Sequence, residues 1–268
     1  MLRRALIGFS LLVASAPLHA QAVVALDGFH NNESKMPDHY QWDGTTDGSF
    51  GKLGNAFRAH DVEIRTIKSR IDAKALEGVR LLIIVDPDTP EETADPKYIE
   101  DAEINAIEKW VVDGGRLVLL GNDKGHAEFT HFNKLASHFG IQFLEETFPK
   151  VSGKAILEAG GADAIFEGGL KAYLVEVAPL KLSAPAQSMM RVDGTDVMAL
   201  ARVGSGMVFA LGDPWLYDEY IERADNVSGR DRWRFDCIAK RPGTLGLRSP
   251  AEIARDLEAP NEPKTMPP

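Results

Sequence analysis

At 268 residues and 44% hydrophobic content, the chain is long enough to bury one full α/β core with extensions. Its 40 acidic against 30 basic side chains exclude the basic balance of a nucleic-acid binder, although a local basic pocket can override the global sign. The single cysteine, Cys237, excludes an intramolecular disulfide and any multi-cysteine zinc site.

Residues 1–20, MLRRALIGFSLLVASAPLHA, have the pattern of a signal peptide. Arg3 and Arg4 precede an apolar run from Ala5 to Ala14, and Leu18-His19-Ala20 sets small residues where a signal peptidase cuts. The run is short for a membrane span and no later segment approaches it, so a soluble, periplasmic or secreted protein with no stable membrane anchor is expected. Cleavage removes two of the 30 basic residues and moves the formal charge from −10 to −12.

The remaining chain opens with a buried-strand pattern, Ala22 to Leu26, that ends in Asp27-Gly28-Phe29-His30-Asn31-Asn32-Glu33. Residues 34–48 are polar, rich in turn formers and long for a connection, which gives them a functional loop's profile. From Ser49, an expected N-cap, Phe50, Leu53, Ala56 and Phe57 recur at helical spacing, and Val62 to Ile67 alternate as a strand. Val79 to Val85 is the strongest strand in the sequence and stops at Asp86-Pro87-Asp88-Thr89-Pro90. Glu100 to Val112 is amphipathic through Ile104, Ile107, Trp110 and Val111, and Gly114-Gly115 closes it.

Leu117 to Leu120 then predicts a buried parallel strand running through a tight turn into a helix. In Gly121-Asn122-Asp123-Lys124-Gly125 the glycines flank one residue at the strand tip, the spacing of a nucleophile elbow with Asp123 in place of Ser or Cys. Phe129, Phe132, Leu135, Ala136 and Phe139 give the following helix its inner face, and Gly140 ends it before Ile141 to Phe143. Past Lys150, alternating runs at Ala172 to Val177, Leu182 to Val192 and Val197 to Val203 predict an antiparallel extension, with Gly204-Ser205-Gly206 as a hairpin turn. Met207 to Leu211 is a last buried strand, ending in Gly212-Asp213-Pro214-Trp215-Leu216-Tyr217. The alternation predicts an α/β, doubly wound, mostly parallel sheet with that antiparallel extension.

In such sheets ligands bind outside the carboxyl ends of the strands. Four strands end in acid, at Asp27, Asp86 with Asp88, Asp123 and Asp213, which predicts a line of carboxylates on one edge with His30, His39, His126 and His131 beside them. The alternative is that these acids cap turns and helices. Tyr40, Trp42, Trp215 and Tyr217, expected at the surface, would suit stacking on a sugar ring, with plain packing as the alternative. No HExxH-type spacing is present, and neither metal nor other cofactor is expected.

The runs Asp86-Pro87-Asp88-Thr89-Pro90, Gly121-Asn122-Asp123, Glu128-Phe129 with His131-Phe132-Asn133, and Gly212-Asp213-Pro214-Trp215-Leu216-Tyr217 resemble the class I glutamine-amidotransferase-like domain of unknown function found appended to unsaturated rhamnogalacturonyl (glucuronyl) hydrolases. The resemblance covers residues 22–221. It implies a flavodoxin-like sheet, a link to pectin and rhamnogalacturonan breakdown, and association with a glycoside hydrolase. Amidotransferases of this fold use a thiol at the elbow; Asp123 stands there and Cys237 lies far outside, so glutaminase activity is not expected. Residues 222–268, rich in charge, Gly and Pro, read as a divergent, poorly ordered tail.

Two classes of function follow. One is an exported saccharide-recognition or accessory protein, with Asp27, His39, Tyr40, Asp86, Asp88, Asn122, His126, His131, Asn133, Asp213, Trp215 and Tyr217 as ligand-binding candidates. The other is a carbohydrate hydrolase with Asp123 as nucleophile or base and Glu128 or a neighbouring His as acid. A non-catalytic protein-interaction domain is a third possibility, and it requires the strand-tip acids to be scattered.

Overall fold

The computed structural model describes residues 22–33, 35–46, 48–60, 62–148, 155–158, 171–174 and 176–217. Residues 1–20, expected as a signal peptide, and residues 222–268 with Cys237 lie outside the described residues. In chain order come β1 (Val23–Asp27), α1 (Gly51–Arg58), β2 (Glu63–Ile67), β3 (Val79–Val85), α2 (Asp101–Val112), β4 (Arg116–Leu120), α3 (Phe129–Ser137) and β5 (Ile141–Phe143). There follow β6 (Ala155–Glu158), β7 (Lys171–Leu174), β8 (Leu180–Leu182), β9 (Ala186–Val192), β10 (Thr195–Val203), β11 (Gly206–Leu211) and a 3₁₀ turn, Pro214–Tyr217.

The main sheet runs β2-β1-β3-β4-β11-β10-β8-β5, with β9 also paired to β10. Its first five strands are parallel. The others add on antiparallel, as the alternating second half predicts. Two details differ from the sequence reading. The run Leu182 to Val192 is split into β8 and β9, because Pro185 has no N–H to continue a ladder and Ala186 N–H closes a turn on Ser183 O at 2.9 Å. β7 leaves the main sheet and pairs with β6 in a separate two-stranded one.

Side-chain alternation divides the core in two. Ala25, Leu82, Ile84, Leu117, Leu119, Val208 and Ala210 face α2 and α3, whose Ile104, Ile107, Val111, Phe129, Phe132 and Leu135 complete one apolar layer. Val24, Leu26, Leu81, Ile83, Val85, Leu120, Phe209 and Leu211 face the other way, against Phe50 and Phe57 of the α1 region and Met189 and Met190 of β9. Helices therefore cover both faces, and continuous apolar strands are the consequence, since every position is buried on one face or the other. The sheet lies so close to α2 that Gly206 admits no side chain: a Cβ there would stand 1.9 Å from Val111 O.

α2 begins with a reciprocal cap, in which the Glu100 carboxylate accepts from the Glu103 backbone and the Glu103 carboxylate accepts from Glu100 N–H at 3.1 Å. α1 starts one residue later than its expected cap. Phe50 holds the cap position, while Ser49 Oγ donates to Gly44 O at 2.9 Å.

Candidate functional site at the strand tips

Register puts the tips level. Val85 pairs with Leu120 and Leu120 with Leu211, so Asp86, Gly121 and Gly212 begin the loops on one edge. The connection from β1 passes through α1 on one face and that from β3 through α2 on the other, so the β1/β3 tips are the switch point at which sheets of this kind form a ligand crevice. Asp27 and Asp86 flank it.

Asp86 is the most unusual residue there. It is a non-glycine residue with φ of 45°, in the left-handed region that costs an ordinary side chain about 1 kcal/mol or more. Surrounding bonds hold it: its N–H donates to Leu120 O at 2.9 Å, and its carbonyl accepts from Asn31 Nδ2 at 3.0 Å. Its side chain is buried, with Asn122 Nδ2 at 3.4 Å from Oδ2, yet Oδ1 has no hydrogen-bond partner among the described residues. Burial, reinforced by the negative field of Glu92, Asp88 and Glu33, pushes this carboxyl well above the usual range, against the Asn122 contact.

Around it stand further carboxyls. Asp88 is anchored by its N–H on His30 O at 2.9 Å and takes the Asn32 N–H on Oδ2 at 2.5 Å; burial pushes it up to about 7. Glu92 accepts both the N–H and the hydroxyl of Thr89 at 2.7 Å, and burial raises it despite them. Glu33 is raised by burial, with Lys35 opposing, and lies 3.1 Å from His39 Nδ1. Burial lowers His39 to about 4, so the imidazole is neutral at pH 7. Asp88, at about 7, exchanges its proton near neutrality and can therefore both donate to and accept from a hydroxyl. Among the described residues no three His, Cys, Asp or Glu side chains gather closely enough to hold a metal ion.

The elbow residue sits beside this cluster with its oxygens engaged. Asp123 Oδ1 lies 2.7 Å from His126 Nδ1 and Oδ2 accepts from Thr147 Oγ1 at 3.2 Å, while Asp123 N–H donates to Asn122 Oδ1 at 2.9 Å. His126 is exposed, and its hydrogen bond to Asp123 raises its pKa. The local backbone departs from the expected strand–turn–helix, for α3 begins only at Phe129 and Asp123 is not at its start. Gly121 is required by the core: a Cβ there would lie 2.6 Å from the Phe143 ring. Glu128 is the α3 N-cap, not a residue one turn along the helix. Its carboxylate accepts from His131 N–H at 2.9 Å and is 3.1 Å from His131 Nδ1, so it is spent on capping.

Several candidates are placed elsewhere. His131 stacks on Tyr98 at 4.6 Å and lines a separate cleft with Glu100, Asp101 and Lys134. Asn133 clamps β5, donating to Phe143 O at 2.9 Å and accepting from Phe143 N–H at 2.8 Å. The expected aromatic platform is largely interior. Tyr40 and Trp42 are buried, Tyr40 stacked on His39 at 3.9 Å and Trp42 Nε1 donating to Arg65 O at 3.1 Å. Tyr217 is buried as well, and burial raises its pKa; only Trp215 is half-buried, packed at the margin of the second core layer. Asp213 is buried at the β11 tip and accepts from Trp215 N–H at 2.8 Å.

Asp27 and His30 belong to an ion network whose other members, Glu103 and Arg70, the sequence reading left out. Asp27 Oδ2 is 2.7 Å from His30 Nδ1, and His30 Nε2 is 3.5 Å from Glu103 Oε1, an ion-pair distance too long for a good hydrogen bond. Glu103 also takes Arg70 Nη1 at 2.8 Å and Ile71 N–H at 2.8 Å. Burial disfavours the imidazolium, but Asp27 and then Glu103 outweigh it and lift His30 to about 9. Glu103, disfavoured by burial, is brought down to about 2 by His30 and the backbone donors. The signals were the spacing Asp27–His30 and the repeated acid three residues apart, Thr89–Glu92 and Glu100–Glu103, each a capping-box spacing.

No family model matches the sequence, and no curated protein matches it significantly. Among solved structures the chain is similar to the mmIFT52 N-terminal domain, with TM-score 0.60 and 16% identity over 83% of this chain and 97% of that one. It is also similar to a cytoplasmic protein, STM3548, from Salmonella typhimurium (TM-score 0.49, 14% identity, 80% of this chain and 97% of that one). A third is the exo-beta-1,4-mannosidase Op5Man5 from Opitutaceae bacterium strain TAV5 (TM-score 0.46, 13% identity, 85% of this chain and 35% of that one). The chain thus spans about a third of the mannosidase. At 16% identity the likeness to the mmIFT52 domain is one of α/β fold, with a large, mostly parallel sheet.

Proposed function

We propose that the chain is an exported saccharide-recognition or accessory protein whose ligand docks at the β1/β3 crevice. The carrying observation is the unpartnered Asp86 Oδ1, buried on a strained backbone among Asp88, Glu33, Glu92 and Asn122. An orphaned buried polar atom costs about 1–3 kcal/mol, a cost a ligand hydroxyl would relieve. Recognition is by hydrogen bonds, with Trp215 left as the one stacking candidate of the four aromatics.

The flavodoxin-like assignment belongs to the same proposal. The parallel strand order β2-β1-β3-β4-β11 supports it, since that fold reads 2-1-3-4-5 with its ligand at the β1/β3 switch. The link to pectin breakdown and to a glycoside hydrolase partner rests on the sequence resemblance, and export rests on the signal-peptide pattern. Among the described residues no helix is long and apolar enough to cross a membrane.

The test is a calorimetric titration of the purified protein with pectic oligosaccharides, repeated with Asp86→Asn. Saturable binding weakened tenfold or more by the substitution supports the proposal; no binding by the unsubstituted protein to any of them defeats it. A hydrolase remains the second reading because Asp123 and His126 form a carboxylate–imidazole pair 2.7 Å apart with the His exposed, the arrangement of a general base and its orienting acid. It predicts release of shorter saccharides in the same samples, lost in His126→Gln.

A further inference from the structure

We infer that the strand-tip site takes an uncharged, hydroxyl-bearing part of a saccharide and rejects a uronate, because carboxyl side chains from the loops after β1 and β3 converge on it around the unpartnered Asp86 oxygen. This deepens the saccharide reading and rests on it. The groups facing Asp86 and Asp88 come from every neighbouring tip. They are Asp27 at the end of β1, Glu33 in the loop after β1, Glu92 after β3 and Asn122 after β4; at one remove, Lys35 acts on Glu33, His126 on Glu92 and His39, and Asp123 on His126. Asp213 stands on the same edge beyond β11.

The balance of these groups is negative. Lys35 acts on Glu33 and His126 on Glu92, but His39 is neutral and His126 is already paired to Asp123. The principal influences on Asp86 and Asp88, beyond burial and one hydrogen bond each, are other carboxyls. A hydroxyl can meet Asp86 Oδ1 as donor to the oxygen or, where the carboxyl carries its proton, as acceptor. A uronate placed there adds an anion to this field and is tolerated only as the cluster takes up protons. Rejection should therefore strengthen as pH rises through about 7, where Asp88 ionises.

The test compares two ligands that differ only in charge, trigalacturonate and its trimethyl ester, titrated calorimetrically into the full chain at pH 5.0 and 7.5. The expected result is an ester affinity at least ~10-fold higher at pH 7.5, equivalent to about 1.4 kcal/mol and within the Coulomb repulsion of like charges a few Å apart. The ratio should narrow to under ~3-fold at pH 5.0, where a uronate with a carboxylic pKa of roughly 3.5 is still ionised and Asp88 is protonated. Glu92→Gln should narrow it at pH 7.5. Equal affinities at pH 7.5, or tighter binding of the free acid, overturn the charge inference and leave the saccharide reading standing. Binding of neither, with neutral pectic oligosaccharides also silent, overturns both.

Discussion

His30→Gln should expose how much of the fold depends on one buried cation. The imidazole has no exposed surface, lies 2.7 Å from Asp27 and 3.5 Å from Glu103, and thereby ties the β1 tip to the first turn of α2. Its pKa of about 9 in the folded chain against 6.5 unfolded corresponds to roughly 3 kcal/mol of stability. Because the folded value is the higher one, that contribution is complete below pH 6.5 and is lost as pH climbs through 9. Glutamine keeps a polar side chain but leaves buried Asp27 without its cation and Glu103 with Arg70 alone, a loss of about 3–5 kcal/mol at pH 6, a large share of the roughly 5–15 kcal/mol typical of a domain. Urea unfolding followed by tryptophan fluorescence at pH 6.0, 7.5 and 9.5 measures it. The wild type should weaken between pH 7.5 and 9.5, and the variant should be weaker at pH 6.0 and lack that decline. A variant within ~0.5 kcal/mol of wild type at pH 6.0 would refute the role given to His30, since a surface substitution does no more than that.

Gly206→Ala places a methyl 1.9 Å from Val111 O and 2.5 Å from Gly115 O, backbone that cannot yield cheaply; thermal unfolding should show a loss of about 3 kcal/mol or more, or failure to fold. Asn133→Ala strips both backbone groups of Phe143 of their partners, and a loss of about 1–3 kcal/mol in the same assay is expected, with ligand binding unchanged. For Asp88, raised to about 7 from 3.8, the folded chain holds a proton that the unfolded chain has lost. Its stability contribution is present below pH 3.8 and lost as pH rises through 7, at no more than about 1.4 kcal/mol per pH unit; Asp88→Asn should flatten the unfolding profile over that window.

The parallel half of the fold was legible because period and burial agree there. Strands such as Val79 to Val85 are apolar at nearly every position, and only a sheet covered on both faces accounts for that. The split at Pro185 and the pairing of β6 with β7 depend on long-range partners that a local pattern does not carry. The strand-end acids do share one edge, since Asp27, Asp86, Asp123 and Asp213 all begin or flank loops beyond parallel strand ends. What the residues could not convey was which oxygens remain free. Asp123, prominent by its glycine-flanked spacing, is engaged by His126 and Thr147, whereas Asp86, unremarkable in a proline-rich run, keeps an open one. Tyr40, Trp42 and Tyr217 misled for a related reason: aromatic residues in a polar loop carry no local signal of which side they turn to.

Backbone amide chemical-shift mapping during titration with a methyl-esterified pectic oligosaccharide addresses the location of the site most directly. Docking at the β1/β3 crevice predicts the largest changes at Asn31, Asn32, Asp86, Asp88 and Asn122, whose backbones and side chains are hydrogen-bonded to one another there. Changes confined to the Tyr98–His131–Lys134 cleft, or none at saturating ligand, would contradict it.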